Sequence, residues 1–289
     1  MKLVNQEVKV WGECPTDPFE AKLWIEKAGR TCYNSRIPEV PDPDKFLNKV
    51  MSYDPPHSSM FEHSNLCLMQ NKILDPEDFI EFERSKWINK LPVRVSAPEN
   101  SGYAWAIYNC YHGNYRAWME MLNISSIDDL FNYLNSKKDF DIVKPKVRDL
   151  KRVTVELHTD RNVLAEITRH RDDVAFSVRS QRYVDENGLM EFIKPSWFDN
   201  ADFIHQETFR HSCQQVELNY RTLRKTLPPQ HARTVLNGQV KTVIVMTAYL
   251  SEWDWIFKLR RAPGAYPQMI LLMNMVYDKF KGLGYVENI

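Results

Sequence analysis

Glycine is scarce in this sequence, and the scarcity limits the folds that the chain can adopt. Nine of the 289 residues are glycine, which is about 3% against a usual share of roughly 7%. Neither G-x-G-x-x-G nor G-x-x-x-x-G-K-[ST] occurs. These glycine-rich turns are what let backbone amides hold phosphates in Rossmann and P-loop proteins. Any nucleotide must therefore be bound mainly through side chains.

The order of the predicted secondary structure favours an α+β fold. Alternating apolar and polar residues with many β-branched side chains predict strands, and capping residues ahead of apolar periodic runs predict helices. The strands are expected at 65–72, 152–158 and 239–247, and the helices after Thr159-Asp160, at 203–225, after Pro228-Pro229, at 251–261 and at 266–282. Strands and helices do not alternate regularly. We therefore expect a mixed sheet with flanking helices rather than a wound parallel sheet.

The chain is interpreted as a single domain, residues 1–289, with a mostly helical insertion at about 75–150. Hydrophobic residues make up 43% and aromatic residues 12% of the sequence, which is typical of globular proteins. A chain of this length can bury a sizeable core.

Charge and cysteine content narrow the functional classes. The 38 basic and 38 acidic residues give a formal net charge of zero, which argues against bulk binding to nucleic acids or anionic membranes. The five cysteines are scattered and form no C-x-x-C pair, so neither a disulfide framework nor a cysteine zinc site is expected. The first residues lack the apolar core of a signal peptide, and no stretch approaches the roughly 18 apolar residues of a membrane span. We expect a reduced, cytoplasmic protein.

Arginine residues concentrate in one segment of the chain. Five of them, at 161, 169, 171, 179 and 182, lie within 22 residues. The guanidinium group is a rigid fork of donors that matches phosphate or carboxylate. Where the chain leaves a helix in an extended conformation, residues i and i+2 point the same way, so Arg169 and Arg171 could grip one anion together. The alternative is a solvated surface on which these arginines pair with Asp160, Asp172 and Asp173.

Arg260 is a second candidate for ligand binding. Residues 251–254 (Ser-Glu-Trp-Asp) match a capping box that opens a helix. On that helix Arg260 follows Trp253 by seven positions and continues its apolar stripe, whereas Arg261 points away. An unpaired buried charge is costly, so Arg260 either belongs to an internal ion pair or faces a ligand. Arg233 is a weaker case of the same kind.

Two histidines and a glutamate lie close together ahead of the first strong strand. Metal binding through His57, Glu62 and His63 is conceivable, but the spacing is not the H-E-x-x-H pattern of zinc enzymes. The end of a capped helix is the preferred interpretation, and no metal site is predicted.

Five elements, in order along about 200 residues, resemble flavin-dependent thymidylate synthases. The family signature is R-H-R, a short spacer and S-x-R-Y, and the chain has Arg169-His170-Arg171 followed by Ser180-Gln181-Arg182-Tyr183. The segments HSSMFEH (57–63) and HGNYRAW (112–118) are similar to the family's H-x-S-x-x-E-H and G-N-x-R-A-W elements. Residues 232–236 resemble A-R-x-x-L, and residues 259–260 match the L-R that carries the family's key arginine.

The resemblance implies an activity and a set of ligands. Members of the family methylate dUMP to dTMP with 5,10-methylenetetrahydrofolate as carbon donor, NADPH as reductant and FAD as redox relay. They are homotetramers whose active sites form between subunits, and they use no cysteine nucleophile. No nucleic acid or membrane partner is implied.

The resemblance also implies roles for individual residues. The residues expected to contact FAD are His63, Asn65, Arg169, His170 and Arg171. The residues expected to hold dUMP are Glu166, Arg169, Ser180, Gln181, Arg182, Arg233 and Arg260. Arg260 and Ser180 are the expected catalytic residues, with Arg260 favouring ionisation at N3 of the pyrimidine.

The chain departs from the family pattern around both ligands. Eight residues separate Arg171 from Ser180, one more than is usual in the family. Glu166 stands where a glutamine is common, and Val178 where a glutamate often contacts both ligands. The remaining departures are Tyr249 and Ser251 in place of flavin-binding asparagine and arginine, and Gly264 and Tyr266 where histidine is usual.

Two other functions fit parts of the pattern. A divergent family member could act on dCMP, or leave a hydroxymethyl group instead of a methyl group, because the residues of the pocket are altered. The arginine cluster at 161–182 also suits a non-catalytic nucleotide- or nucleic-acid-binding protein. Zero net charge and the position of Arg260 on an apolar stripe both argue against that last interpretation.

Overall fold

The computed structural model describes residues 1–70, 94–96, 110–137, 140–145, 148–171 and 173–286. Within these ranges the chain forms both strands and helices. The strands are β1 (Lys2–Val4), β2 (Glu7–Glu13), β3 (Leu66–Gln70), β4 (Arg94–Ser96), β5 (Cys110–Gly113), β6 (Phe140–Ile142), β7 (Arg152–Asp160), β8 (Ala175–Val178), β9 (Glu191–Ile193) and β10 (Lys241–Tyr249). The α-helices are α1 (Pro18–Tyr33), α2 (Pro43–Met51), α3 (Tyr115–Leu122), α4 (Ile127–Asn135), α5 (Arg161–Ile167), α6 (Phe203–Arg224), α7 (Pro229–Ala232), α8 (Leu250–Arg260) and α9 (Pro267–Gly282).

The chain divides into two compact units. The first unit comprises Met1–Gly12, Ala28–Ile37 and Thr154–Ile289. The second unit comprises Glu13–Lys27 and Pro38–Val153. The arginine-rich segment belongs to the first unit, and the two motif segments at 57–63 and 112–118 belong to the second.

The first unit is built around a four-stranded sheet with the strand order β2-β7-β10-β8. Strands β10 and β8 are antiparallel, with Ile244 opposite Val178 and Thr247 opposite Ala175. Strand β10 is nearly continuous in apolar residues, and it is buried along most of its length. A separate parallel pair joins β1 to β9, with Lys2 opposite Glu191.

Helix α5 follows β7 without a loop. The Asp160 carboxylate accepts a hydrogen bond of 2.8 Å from the backbone N–H of Val163, which satisfies one of the free amides at the start of the helix. Burial raises the pKa of this carboxyl, although the hydrogen bonds that it accepts from backbone amides oppose that shift. The strand-to-helix junction therefore places Arg161 and Glu166 at fixed positions beside the sheet.

Aromatic packing holds α8 and α9 together in the first unit. Trp253 is fully buried, and its ring contacts that of Phe280 edge-on with centroids 5.2 Å apart. The rings of Phe257 and Phe280 are also perpendicular, at 5.4 Å. Such edge-to-face pairs stabilise a core beyond the free energy of apolar burial. Trp253 thereby orients the helix that ends at Arg260.

The second unit contains another four-stranded sheet, with the strand order β4-β5-β3-β6 and antiparallel pairing throughout. Helix α3 begins at the N-cap Asn114, whose side chain accepts from the Ala117 amide at 2.8 Å. The helix ends at Asn123, which adopts the left-handed conformation (φ 56°). Asparagine tolerates this conformation better than most residues.

The structure confirms the α+β class and most of the predicted elements. The predicted helix at 203–225 is α6, and the predicted strand at 239–247 is β10 with its bounds shifted. The predicted capping box was wrong, because α8 begins at Leu250 and its N-cap residue Tyr249 makes no side-chain cap bond. The sequence pattern of 75–150 predicted mostly helices, but the described part of this range also contains three short strands, β4, β5 and β6. The single-domain interpretation stays a prediction.

None of the helices in the described ranges combines the length and the apolar character that a bilayer crossing requires.

We predict that Trp253→Ala destabilises the protein far more than Trp255→Ala. The Trp253 side chain is fully buried, whereas Trp255 is 49% exposed on the same helix. Removing a buried tryptophan costs about 3–5 kcal/mol of the free energy of unfolding, and surface changes usually cost less than about 0.5 kcal/mol. Urea denaturation of both variants measures the difference. Equal losses would contradict the packing of α8 described above.

Candidate functional site

The guanidinium group of Arg260 is the centre of the candidate site. Its Nε donates to Nε2 of His170 at 2.9 Å, and one terminal nitrogen donates to a carboxylate oxygen of Glu166 at 2.9 Å. The other terminal nitrogen donates to the backbone carbonyl of Glu166 at 2.6 Å. Three of the five N–H groups of an arginine are thus engaged. The side chain is 16% exposed, so its remaining donors can meet a ligand.

Arg260 also terminates helix α5. The carbonyl of Glu166 lies in the last turn of that helix, where it also accepts from the backbone amide of Arg169 at 3.4 Å, so Arg260 supplies its shorter hydrogen bond. A cation at a helix C-terminus is favourable because it opposes the helix dipole. Arg260 therefore links the end of α8 to the end of α5.

The Glu166 carboxylate is shared by two arginines. One of its oxygens accepts from Arg260, and the other lies 3.0 Å from a terminal nitrogen of Arg169. Arg169 is 67% exposed on its side chain, whereas Glu166 is 27% exposed. The group of three charges carries a net positive charge. It would favour the anionic form of a ligand placed beside it.

His170 is held in its neutral form. Burial lowers the pKa of its imidazole, and the nearby positive charge of Arg260 lowers it further. Because Nε2 accepts a hydrogen from Arg260, the ring proton is assigned to Nδ1. His170 can therefore donate one neutral hydrogen bond from Nδ1.

The R-H-R motif lies where the chain leaves α5. The helix ends at Ile167, Arg169 is in a turn, and His170 and Arg171 have no regular secondary structure. Arg171 is exposed and makes no ion pair with the described residues. Arg169 lies in a turn and pairs with Glu166, so the extended exit and the joint grip of one anion by Arg169 and Arg171 stay predictions.

The S-x-R-Y motif forms a tight loop after β8. The Ser180 amide donates to the carbonyl of Cys32 at 3.0 Å, and the Ser180 hydroxyl accepts from the Arg182 amide at 3.1 Å. The guanidinium of Arg182 lies over the Tyr183 ring at 5.2 Å from its centroid. The side-chain nitrogen of Gln181 (Nε2) is buried and has no hydrogen-bond partner among the described residues. This loop presents donors to any ligand that it contacts.

A second group of arginines lies around Glu186 in the first unit. Arg179 pairs with the Glu186 carboxylate at 2.8 Å, and a terminal nitrogen of Arg161 donates to the Arg179 carbonyl at 2.9 Å. Burial lowers the pKa of Arg161, the charges of Arg179 and Arg233 lower it further, and the charge of Glu186 opposes them. The structure thus brings Arg233, which is exposed, into electrostatic range of the arginine-rich segment.

His63 and Asn65, the other expected FAD contacts, lie in the second unit. His63 is completely buried, and burial with the positive charge of Arg152 lowers its pKa to about 3. The amide nitrogen of Asn65 donates to the Leu150 carbonyl at 3.0 Å. The Asn65 carbonyl oxygen is buried without a partner among the described residues. Both side chains are fixed within the second unit, and their roles toward FAD stay predictions.

The two motif segments of the second unit meet at a cleft of about 500 Å³. Arg116, from the 112–118 segment, donates to Glu62 of the 57–63 segment at 2.6 Å, and to Glu120 at 2.7 Å. Glu62 is therefore engaged by an arginine. No group of three metal-binding side chains occurs in the described part of the chain.

Neither Cys32 nor Cys213 is activated as a nucleophile. Cys14, Cys67 and Cys213 are buried. Burial raises the pKa of the Cys213 thiol to about 12, and it also raises the pKa of the partly exposed Cys32. A thiol with a raised pKa is a poor nucleophile at neutral pH, because the thiolate is the reactive form.

Glu186 is not predicted from the sequence, and neither are the positions of Arg161 and Arg179 around it. Glu186 follows Arg179 by seven residues. Because a loop lies between them, neither helix nor strand periodicity predicts that they meet. No signal in the sequence connects these residues. The fold and the site together define an α+β protein with an arginine-based site that suits phosphorylated ligands.

Comparison with known proteins places the same residues in a family. The sequence profile of the family described as thymidylate synthase complementing protein matches residues 103–283. A probable flavin-dependent thymidylate synthase of Mycobacterium phage L5 is 31% identical over 119 residues, which cover 37% of this chain and 49% of that protein. A crystal structure of thymidylate synthase X from Helicobacter pylori with FAD and dUMP aligns over 45% of this chain and 68% of that chain, with 18% identity and a TM-score of 0.36.

The profile covers more than half of the chain, and the chain therefore belongs to the thymidylate synthase complementing protein family, the flavin-dependent thymidylate synthases. The chain spans about half the length of the phage protein that it matches. The matched range contains both the R-H-R and the S-x-R-Y motifs, and it includes Arg233 and Arg260.

We predict that His63 makes the protein less stable as the pH falls. The native pKa of about 3 lies below the ordinary value of 6.5, so between these values the unfolded state binds a proton that the native state rejects. The free energy of unfolding should fall by about 1.4 kcal/mol per pH unit on this account. His170 acts in the same direction.

Urea denaturation across this pH range tests the prediction with His63→Gln, which should show a shallower fall than the unmodified protein. His211→Gln is the matched control, because His211 is exposed on α6. A His63→Gln variant with an unchanged slope would show that His63 is not the group responsible.

Proposed function

We propose that the chain catalyses the FAD-dependent reductive methylation of dUMP to dTMP, with 5,10-methylenetetrahydrofolate as carbon donor and NADPH as reductant. The observation that carries the proposal is the Arg260 fork, which is held between His170 and Glu166 and keeps two N–H groups without a partner among the described residues. Family membership supports the same activity.

The donor set of the first unit fits a phosphorylated cofactor. The Arg169 side chain is 67% exposed and Arg171 is exposed, so their guanidinium groups can bind an anion through charge-assisted hydrogen bonds. The residues proposed to hold FAD are His63, Asn65, Arg169, His170 and Arg171. When bound, the flavin supplies the hydride that completes the methyl group.

Nucleotide binding in this proposal relies on the loop after β8. Ser180, Gln181 and Arg182 present donors there, and Arg233 adds a positive charge. Arginine forks and hydroxyl groups bind phosphate well because charge-assisted hydrogen bonds are the strongest type in proteins. The Ser180 hydroxyl oxygen accepts from the Arg182 amide at 3.1 Å, which leaves the hydroxyl hydrogen able to donate.

Arg260 is proposed to activate the pyrimidine. Its free N–H groups would donate to a carbonyl oxygen of the ring, and its charge would favour loss of the N3 proton. Ionisation at N3 raises the electron density at C5, the atom that receives the new carbon. The raised pKa of the Cys32 thiol accords with a reaction in which no cysteine attacks the ring. His170, neutral and bonded to Arg260, orients the guanidinium.

The proposed assembly is a homotetramer with active sites shared between subunits, and light scattering after size-exclusion chromatography measures its mass. The direct test of the activity is a flavin absorption spectrum together with release of tritium from [5-³H]dUMP in the presence of the folate donor and NADPH. A colourless protein that binds no FAD and releases no tritium would rule the proposal out.

We predict that Arg260→Ala lowers the rate of tritium release on the order of 100-fold or more, the usual effect of removing a donor that stabilises developing charge. Arg261→Ala is the matched control. The Arg261 side chain donates to Asn274 at 2.7 Å and lies over the Tyr277 ring at 3.6 Å, so its loss should leave the rate nearly unchanged. Similar rates for the two variants would remove Arg260 from the mechanism.

Glu166 favours a second candidate, in which dCMP is the substrate or the product carries a hydroxymethyl group. The Glu166 carboxylate lies beside Arg260 at 2.9 Å, and it can accept a hydrogen bond from the 4-amino group of cytosine. A glutamine is common at this position in the family. The amide of glutamine both donates and accepts hydrogen bonds, whereas the ionised carboxylate of Glu166 only accepts them.

We predict that, if dCMP is a substrate, Glu166→Gln lowers turnover of dCMP relative to dUMP by about tenfold, because a hydrogen bond to a charged group is lost. Parallel assays of both nucleotides, with product masses from mass spectrometry, measure the ratio. An unmodified protein that turns over dUMP alone, to a methylated product, would exclude the second candidate.

A further inference from the structure

One face of helix α6 holds the segment that follows the S-x-R-Y motif. Four side chains on this face are spaced by three or four positions, as neighbours on a helix surface are. They are Glu217, Tyr220, Arg221 and Arg224, and we call them the α6 clasp. Glu217 accepts a hydrogen bond from the Met190 amide at 3.2 Å, and Arg221 donates to the Gly188 carbonyl at 3.1 Å. The far end of the segment is therefore fixed to α6 through its backbone.

The near end of the segment is held at Asp185. The Nε of Arg224 donates to one carboxylate oxygen of Asp185 at 3.0 Å, and a terminal nitrogen donates to the other at 2.6 Å. The hydrogen bond from Arg224 lowers the pKa of the Asp185 carboxyl, so this group is an anion at neutral pH. Bidentate pairs of this kind fix the geometry as well as the distance of the two groups.

The Tyr220 hydroxyl is the central contact of the α6 clasp. It accepts from the Glu186 amide at 3.2 Å and donates to the Asp185 carboxylate at 3.2 Å. The Tyr220 side chain is fully buried and packs in a core cluster with Phe192 and Val240. Burial raises the pKa of the phenol, so it keeps the proton that it donates. A group whose position is set by the core thus binds two successive residues of a surface segment.

The loop that carries the S-x-R-Y motif lies between this clasp and a second attachment. The Ser180 amide donates to the Cys32 carbonyl at 3.0 Å, which fixes the start of the loop. The Val184 amide donates to the Ser180 carbonyl at 3.1 Å, which closes the loop. Arg182 is exposed between these points. The α6 clasp begins at the residue after Val184, so it limits how far the exposed part of the loop can move.

We propose that Tyr220 is a positioning residue for nucleotide binding: its hydroxyl orders the loop that carries Ser180 and Arg182, and this order raises the affinity for dUMP. The identity of the nucleotide rests on the proposed function. A loop that is ordered before binding loses less conformational entropy when the ligand arrives. If only a fraction of the molecules has the competent loop, the apparent Kd rises in inverse proportion to that fraction. The resemblance assigns no role to Tyr220.

The test is isothermal titration of the FAD-loaded protein with dUMP. Tyr220→Phe keeps the buried ring and removes both hydrogen bonds of the hydroxyl. It should raise the Kd of dUMP by about tenfold, while the Kd of FAD stays unchanged. Tritium release at saturating dUMP should stay within about twofold of the unmodified rate, because the bound nucleotide itself orders the loop. A change in KM without a comparable change in kcat is what separates positioning from a general loss of structure.

Thr222→Val is the matched control, because it also removes a hydroxyl from α6. The Thr222 hydroxyl donates within the helix, to the Leu218 carbonyl at 2.9 Å, and the side chain is exposed. This variant should bind dUMP like the unmodified protein.

A double-mutant cycle tests whether Tyr220 acts through the loop. In a protein that already carries Arg182→Gln, the further change Tyr220→Phe should raise the Kd of dUMP by about threefold or less, because part of what Tyr220 positions has been removed. An equal increase in both backgrounds would show that Tyr220 affects binding by another route, and it would overturn the proposal.

Hydrogen exchange measures the order of the loop directly. Peptides that span residues 180–190 should exchange faster in Tyr220→Phe than in the unmodified protein, and saturating dUMP should restore their protection. Arg224→Gln loosens the same segment without a change in the core, so it keeps the test valid if Tyr220→Phe folds poorly. It should raise the Kd of dUMP on the order of threefold and speed exchange in the same peptides.

The proposal is overturned if folded Tyr220→Phe binds dUMP as tightly as the unmodified protein, or if exchange of the 180–190 peptides is unchanged. That result leaves the proposed function intact as long as the unmodified protein binds dUMP and releases tritium from it. An unmodified protein that binds no dUMP contradicts the proposed function, and the positioning role of Tyr220 fails with it. The two failures are therefore distinguished by the unmodified protein alone.

Discussion

The contact between Arg260 and the end of helix α5 is the interaction on which the candidate site depends. One guanidinium group satisfies the last-turn carbonyl of Glu166, the carboxylate of the same residue and the neutral ring of His170. Trp253 anchors the helix that delivers Arg260. The site is therefore an extension of core packing, and its geometry follows from how two helices end against each other.

A shortage of glycine explains why the site is built from charged side chains. Without a glycine-rich loop, backbone amides cannot approach a phosphate closely, so donors must come from arginine. Each arginine then needs a carboxylate to be tolerated while no ligand is bound. Glu166 serves Arg260 and Arg169, and Glu186 serves Arg179. Each carboxylate is surrounded by more arginine charge than it can neutralise, and the excess positive charge favours an anionic ligand.

Local signals predicted the fold well, and they predicted the site in part. The cap at Asp160 and the periodicity of α6 are encoded within a few residues, so they could be recognised from the sequence. The partner of Arg260 could be predicted only as a type, because the choice of Glu166 depends on where α5 and α8 meet, 94 positions apart in sequence. Glu186 was not predicted at all, since a loop contact has no periodicity.

Helix α5 also sets a distance. It has seven residues, with Arg161 at its first position and Glu166 five positions later, so the two differ by about 7.5 Å along the axis. A ligand that contacts both ends of α5 must therefore span about this distance. Inserting a single residue would lengthen the gap by about 1.5 Å and rotate one end by about 100° relative to the other. The length of α5 thus sets the distance between the arginines at its two ends, and no single side-chain substitution can change that length.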